Sequence, residues 1–123
     1  WWNAPIAPET DPIADHALDM EIIVAGDGIR YAKAGDTVRV QYVGYLPNGQ
    51  VFDATYRRGV PFKFTLGQNQ VIEGLDTAIS QLSAGERAKV RIGYERAFGK
   101  KGFPFLVPPR TGLIFDLEYL GPC

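Results

Sequence analysis

Val71-Ile72-Glu73-Gly74-Leu75-Asp76-Thr77-Ala78-Ile79-Ser80-Gln81-Leu82 is the stretch on which the reading of the whole chain turns. Ile72, Leu75, Ile79 and Leu82 stand at offsets of three, seven and ten, with Ala78 between them. That spacing lays a single apolar stripe along a short amphipathic helix. Glu73 and Asp76 fall near its start, where carboxylates suit the positive end of the helix dipole. Ser83-Ala84-Gly85 closes it, with Gly85 as the left-handed residue past its end. No other stretch has a convincing helical period, and strand-like segments lie on both sides. One helix among many strands has to cover the open face of a sheet, so the fold class is α+β.

Upstream of the helix, Thr37 to Leu46 alternates, with Val38, Val40 and Tyr42 on one face and Thr37, Arg39 and Gln41 on the other. This is the pattern of a half-buried strand. Pro47-Asn48-Gly49-Gln50 is a hairpin signal, since Asn-Gly suits the primed turns. Val51-Phe52-Asp53 begins the return strand, and the polar run Ala54–Val60 interrupts it as a bulge or loop. Pro61–Leu66 is a further strand, with Phe62, Phe64 and Leu66 on one face. Downstream, Glu86–Gly93 turns Ala88, Val90 and Ile92 inward and Arg87, Lys89 and Arg91 to water. Gly112–Leu120 aligns Leu113, Phe115, Leu117 and Tyr119. With Met20–Ala25, these segments make five or six antiparallel strands. Tyr94–Thr111 holds Gly99, Gly102, Pro104, Pro108 and Pro109, too irregular for an element, and a loop of this length in a small domain is usually functional.

Residues 1–18, with Pro5, Pro8 and Pro12, read as an extended N-terminal arm or linker, and residues 19–123 as the domain. Trp1 and Trp2 are odd in a free tail; they either pack on the body or meet a neighbour. His16 has no second histidine to pair with, and a solvated side chain is expected.

A chain of 123 residues, 46% of them apolar, suits one domain with one core. No apolar run approaches the roughly 20 residues of a membrane helix, so no membrane partner is expected. The lone Cys123 is the last residue and cannot form an intrachain disulfide. One histidine in the arm and one terminal cysteine offer no Ser-His-Asp or Cys-His constellation and no zinc spacing. No glycine loop for phosphate is present. Any enzyme here has to work without nucleophile, metal or organic cofactor. Residues 1–36 hold seven acids and two bases, and residues 37–123 seven acids and eleven bases, against a net charge of −1 overall. That balance does not suit nucleic acid. Gly99-Lys100-Lys101-Gly102 matches the GxxG clamp of one RNA-binding class, but without that class's flanking helices it reads as a turn.

What remains is an excess of aromatics near loops and strand ends. Phe52, Phe62, Phe98, Phe103 and Phe115, with Tyr42, are candidates for an apolar pocket, whereas Phe64 and Leu117 are assigned to the core. Phe98 and Phe103 sit in a glycine- and proline-rich loop, where large apolar groups near solvent need a reason. Asp53 is either a solvated turn residue or a polar group at the pocket edge.

Val40-Gln41-Tyr42-Val43-Gly44-Tyr45-Leu46, Asn48-Gly49 and Val51-Phe52-Asp53-Ala54-Thr55 together resemble the opening hairpin of the FK506-binding proteins. Pro61-Phe62-Lys63-Phe64, Gly67, Val71-Ile72-Glu73-Gly74-Leu75, Gly85-Glu86-Arg87-Ala88, Ala97-Phe98-Gly99, Val107-Pro108-Pro109 and Leu113-Ile114-Phe115-Asp116 follow in that family's order. The resemblance runs from about Asp19 to Leu120. It implies a curved antiparallel sheet of five to six strands wrapped on one short helix. It also implies catalysis of cis–trans isomerisation at Xaa-Pro bonds, and with it a role as a folding helper.

Carried over position by position, the pocket is walled by Tyr42, Phe52, Phe62, Phe98 and Phe115. Leu75 is its floor, with Val71 and Ile72 alongside. Phe103, Leu106 and Val107 come from the long loop. Asp53 is the edge carboxylate near Arg58, and the Ile72 N–H is the donor to a substrate or drug carbonyl. The implied partners are proline-containing peptides or proteins and FK506 or rapamycin, bound by a monomer. Three departures stand out: Leu75 where the family usually has Trp, Phe98 where it usually has Tyr, and Phe103 where related members often have His. They imply weaker catalysis and weaker drug binding. The alternative they leave open is a binding, scaffold or chaperone module with little catalysis. The compartment is not legible in a chain that begins with Trp; the cytoplasm is slightly favoured over a processed secretory or organellar origin.

Overall fold

The computed structural model describes residues 11–123; Trp1, Trp2, Pro5 and Pro8 of the arm lie outside the described residues. Six strands and one helix follow in the order β1 (Leu18–Val24), β2 (Thr37–Tyr45), β3 (Val51–Ala54), β4 (Phe62–Thr65), α1 (Glu73–Ser80), β5 (Arg87–Ile92) and β6 (Leu113–Pro122). The sheet runs β1-β5-β6-β2-β3, and β4 also pairs with β2. All pairings are antiparallel. β3 and β4 are thus two halves of one strand along the edge of β2. The Ala54–Val60 interruption contains a short 3-10 helix, Thr55–Arg57, between them.

Alternation decides which side chains meet the helix. Ala88, Val90 and Ile92 of β5, with Leu113, Phe115, Leu117 and Tyr119 of β6, are buried and join Val38, Val40 and Tyr42 of β2 in the main core. Leu75, Ala78 and Ile79 of α1 and the following Leu82 pack against them. Gly74 lets the helix approach, because a Cβ there would lie 2.5 Å from Ile92 Cγ2.

The alternation in β2 stops at Tyr42. Val43 and Tyr45 are also buried, because Ala54 and Ile114 cover them on the far side of the sheet and Ile13 packs on that second cluster. Arg87, expected in water, pairs through Nε and Nη2 with both oxygens of Asp116, at 2.9 and 2.7 Å.

The helix is shorter than its apolar stripe. It starts at Glu73, with Ile72 as N-cap, and ends at Ser80 with Gln81 as an ordinary right-handed C-cap. Gly85 is left-handed, at φ 87°, but it serves the turn into β5 rather than the helix end; its N–H donates to the Tyr119 carbonyl at 2.8 Å. Asp76 turns its carboxylate to the Gly67 N–H, at 3.0 and 3.1 Å, and so ties down the loop before the helix.

Leu18 is the first residue of β1, paired with Ile92, and the described arm is held to the body. Asp15 and Ala17 carbonyls accept from the Glu95 and Gly93 N–H groups, at 2.8 Å each. The His16 side chain is exposed, as expected, while its carbonyl accepts from Arg96 Nε at 2.8 Å.

Candidate functional site

A cavity of about 390 Å³ opens between the concave face of the sheet and the N-terminal end of α1. β2 contributes Tyr42, β3 Phe52 and Asp53, β4 Phe62, and β6 Phe115. Val71, Ile72 and Leu75 come from the helix entry and its first turn, and Phe98 from the long loop. The rings meet edge to face, as aromatic quadrupoles prefer. Tyr42 lies 5.7 Å from Phe115 and 6.3 Å from Phe62 between centroids, and Phe52 lies 5.7 Å from Phe115.

One polar edge is built into this apolar wall. Tyr42 donates its hydroxyl to Asp53 Oδ2 at 2.6 Å, and Arg58 Nη1 donates to Asp53 Oδ1 at 2.9 Å. Arg58 Nη2 reaches the Tyr42 oxygen at 3.2 Å. Burial pushes the Asp53 carboxyl up, but the hydrogen bonds from Tyr42 and Arg58 outweigh it and hold Asp53 below the ordinary carboxylate value. Burial, and then the Asp53 carboxylate, pushes the Tyr42 phenol up to about 12. The edge is therefore a fixed carboxylate with a fixed neutral phenol at neutral pH.

Opposite it stands the helix N-terminus. Ile72 has extended backbone, φ −59° and ψ 148°. Its carbonyl accepts from Leu75 and Asp76, and among the described residues nothing accepts from its N–H. The first N–H groups of a helix lack internal partners, so Ile72 leaves a donor at the cavity margin.

The structure thus brings together nine of the expected residues: Tyr42, Phe52, Asp53, Phe62, Val71, Ile72, Leu75, Phe98 and Phe115. Arg58 stands behind Asp53 rather than in the lining. Phe103, Leu106 and Val107 do not line the cavity. Reciprocal hydrogen bonds between Phe103 and Val107, at 2.8 and 2.9 Å, close the loop on itself. This leaves Phe103 and Leu106 about half exposed and buries Val107 in the core. Phe103 instead supports Phe98 from behind, with centroids 5.4 Å apart. The glycines of Gly99-Lys100-Lys101-Gly102 both sit at φ 69°, as turn residues do.

Several contributors were not singled out from the sequence. Phe64 and Leu117, assigned to the core, are buried and also line the deep end, with Val40 and Ile79. Leu75 does not close the cavity off from them. Thr55 is fully buried, and its hydroxyl accepts from the Tyr42 N–H at 3.1 Å and bonds Gln41 Oε1. A threonine that opens a polar run directly after a strand was the available signal.

A curved antiparallel sheet gripping one short helix, with an aromatic cavity at the helix entry, defines the FK506-binding fold class. A family model described as FKBP-type peptidyl-prolyl cis-trans isomerase matches residues 28–120. FK506-binding protein 1 of Debaryomyces hansenii is 48% identical over 107 residues, covering 87% of this chain and 96% of that protein. Peptidyl-prolyl cis-trans isomerase Fkbp12 of Drosophila melanogaster is 45% identical over 98 residues, covering 80% and 91%. The crystal structure of AtFKBP13 superposes with a TM-score of 0.82 at 35% identity, covering 86% of this chain and 93% of that one. This chain belongs to the FKBP-type peptidyl-prolyl cis-trans isomerase family.

Proposed function

We propose that the cavity binds an Xaa-Pro segment with the prolyl ring among Tyr42, Phe52, Phe62 and Phe115 and speeds rotation about the preceding peptide bond. The observation that carries this reading is a deep aromatic cavity with a free N–H, that of Ile72, at its margin. Rotation faces a barrier of about 18–20 kcal/mol, because amide resonance is lost at the twisted state. Unaided exchange at Xaa-Pro takes tens to hundreds of seconds. No bond breaks, so no nucleophile is needed. The site has only to hold the twisted amide better than either planar form. A twisted amide has less charge separation than a planar one, so an apolar wall favours it. In this reading the Ile72 N–H holds a carbonyl and Asp53 faces the rotating amide.

FK506 or rapamycin would occupy the same cavity, weakly. Leu75 leaves the floor open to Phe64, Ile79 and Leu117, and Phe98 has no hydroxyl to donate. The test is NMR exchange of an Xaa-Pro tetrapeptide with and without the protein, repeated with excess FK506. Acceleration abolished by FK506 is the expected result. Acceleration that FK506 leaves untouched retains the isomerase and removes the drug site. A folded protein that gives no acceleration would overturn the reading in favour of a proline-binding scaffold.

A further inference from the structure

Phe98 is hung from a single atom. The N–H groups on either side of it, those of Ala97 and Gly99, both donate to the Tyr94 carbonyl, at 3.1 and 2.8 Å. The two residues flanking Tyr94 are held in turn by the arm. The Gly93 N–H donates to the Ala17 carbonyl and the Glu95 N–H to the Asp15 carbonyl, at 2.8 Å each. These bonds carry the β1–β5 ladder past its last strand pair, Leu18 with Ile92, into the turn that presents the cavity wall.

Arg96 extends the same connection to the opposite side of the cavity. Its Nε donates to the His16 carbonyl at 2.8 Å, and its Nη1 lies 3.3 Å from Glu73 Oε1. Glu73 directly follows Ile72, whose N–H faces the cavity margin. The ion pair is solvent-exposed and by itself weak; its place is what matters, since one guanidinium spans the arm and the start of α1. The fit is close, because a Cβ on Gly93 would lie 2.2 Å from the Ala14 carbonyl oxygen. Gly93 has φ −69°, which alanine adopts freely, so the arm backbone is the obstacle there. Ile13 anchors the arm further along, on the second cluster.

We propose that arm residues 14–17, with Arg96 as a positioning residue, form a strap that fixes Phe98 and the helix entry at the isomerase cavity. The arm is then part of the site's framework rather than a linker. This rests on the reading of the cavity as the Xaa-Pro site, and the test separates the two.

Gly93→Ala expels the strap without substituting any cavity residue. Arg96→Gln cuts only the side-chain bridge, and Arg96→Lys can restore one of its two hydrogen bonds. Each variant is compared with the unaltered protein by Phe98 ring-proton shifts and by Xaa-Pro exchange. In Gly93→Ala the Phe98 resonances shift and kcat/KM falls about tenfold, mostly in kcat, as expected for misplacement of a group near the reacting bond. Arg96→Gln shows the same signature at smaller size, and Arg96→Lys falls between it and the unaltered protein. If the Gly93 and Glu95 amides of Gly93→Ala exchange freely with water, showing the strap detached, while the Phe98 resonances and the rate stay unchanged, the proposal is overturned. If Gly93→Ala does not fold, Arg96→Gln decides by the same two readouts. An unaltered protein without isomerase activity counts against the cavity reading, and the Phe98 shifts alone then judge the strap.

Discussion

Tyr42 and Asp53 meet diagonally across the β2–β3 pair with their oxygens 2.6 Å apart, joining the aromatic wall of the cavity to its carboxylate edge. Arg58 bonds both and holds the pair from outside. Tyr42→Phe keeps the ring against Phe62 and Phe115 but leaves Asp53 with Arg58 and the Ala54 N–H, the latter at 2.9 Å. A hydrogen bond to a charged group is worth about 1.5–3 kcal/mol. The Asp53 side chain is 34% exposed, so water replaces part of it. The expected loss is about 1 kcal/mol in urea unfolding, with Xaa-Pro exchange slowed severalfold. An unchanged exchange rate would mean that the hydroxyl does not orient Asp53 for the reaction.

The pH profile follows from the same network. Asp53 is held below its ordinary 3.8, so its contribution is present above that value and is lost as pH falls through the lower folded one. Tyr42 is raised from 10.0 to about 12. Its contribution is full below 10 and disappears as pH rises towards 12, because the unfolded phenol ionises first. Between about pH 5 and 9 neither group changes charge, and isomerisation itself moves no proton. The expected kcat/KM profile across that window is flat. A bell-shaped profile there would point to general acid–base chemistry and refute the mechanism proposed.

Leu75 and Phe98 invite gain-of-function substitutions. Leu75→Trp fills a floor that now opens to Ile79 and Leu117, and overpacking costs typically about 1–3 kcal/mol where a core is already full. A cavity of about 390 Å³ has room, so the stability change is expected at the low end and FK506 affinity to rise severalfold. Phe98→Tyr adds a donor worth about 0.5–1.5 kcal/mol, roughly 2- to 10-fold in affinity. Calorimetric titration of both variants checks this. If Leu75→Trp left affinity and exchange unchanged, the open floor would not limit either.

The order of strands, the helix and the aromatic wall were legible because each rests on a local pattern. Val38-Val40-Tyr42 and Ala88-Val90-Ile92 alternate, and Ile72-Leu75-Ile79-Leu82 keeps a helical period. What was not legible depended on neighbours distant in sequence. The strand pattern of β2 could not announce that Ile13 and Ile114 bury Val43 and Tyr45 from behind. The aromatic content of the long loop made Phe103 a pocket candidate, and the family resemblance added Leu106 and Val107. The loop instead folds back through Phe103 and Val107, with Phe105 at φ 68° at its tip. The prolines of the arm spoke for a linker, and the ladder to Gly93 and Glu95 became visible only once β5 was in place. Thr55 stood out only as part of the polar run after Asp53, although its hydroxyl is needed by the Tyr42 N–H inside the sheet.

Gly44 supplies the sharpest test of how the wall is packed. It pairs with Asp53 on one side and Phe115 on the other, on the same face of β2 as Tyr42. A Cβ there would lie 2.7 and 2.8 Å from two atoms of the Phe52 ring and 3.0 Å from Phe115 Cε1. Gly44→Ala reduces the freedom of the unfolded chain, a gain of about 0.4–1 kcal/mol where the native site tolerates it. Here the site does not, since both rings are buried and wedged against each other at 5.7 Å. Forcing a methyl into a packed core costs about 1–3 kcal/mol, so the net change is destabilising. The displaced rings are cavity walls, so exchange at Xaa-Pro slows together with the fall in Tm, whereas a purely structural lesion would lower Tm alone. A Gly44→Ala variant that melts higher and isomerises at the original rate would show that Phe52 and Phe115 are free to move aside.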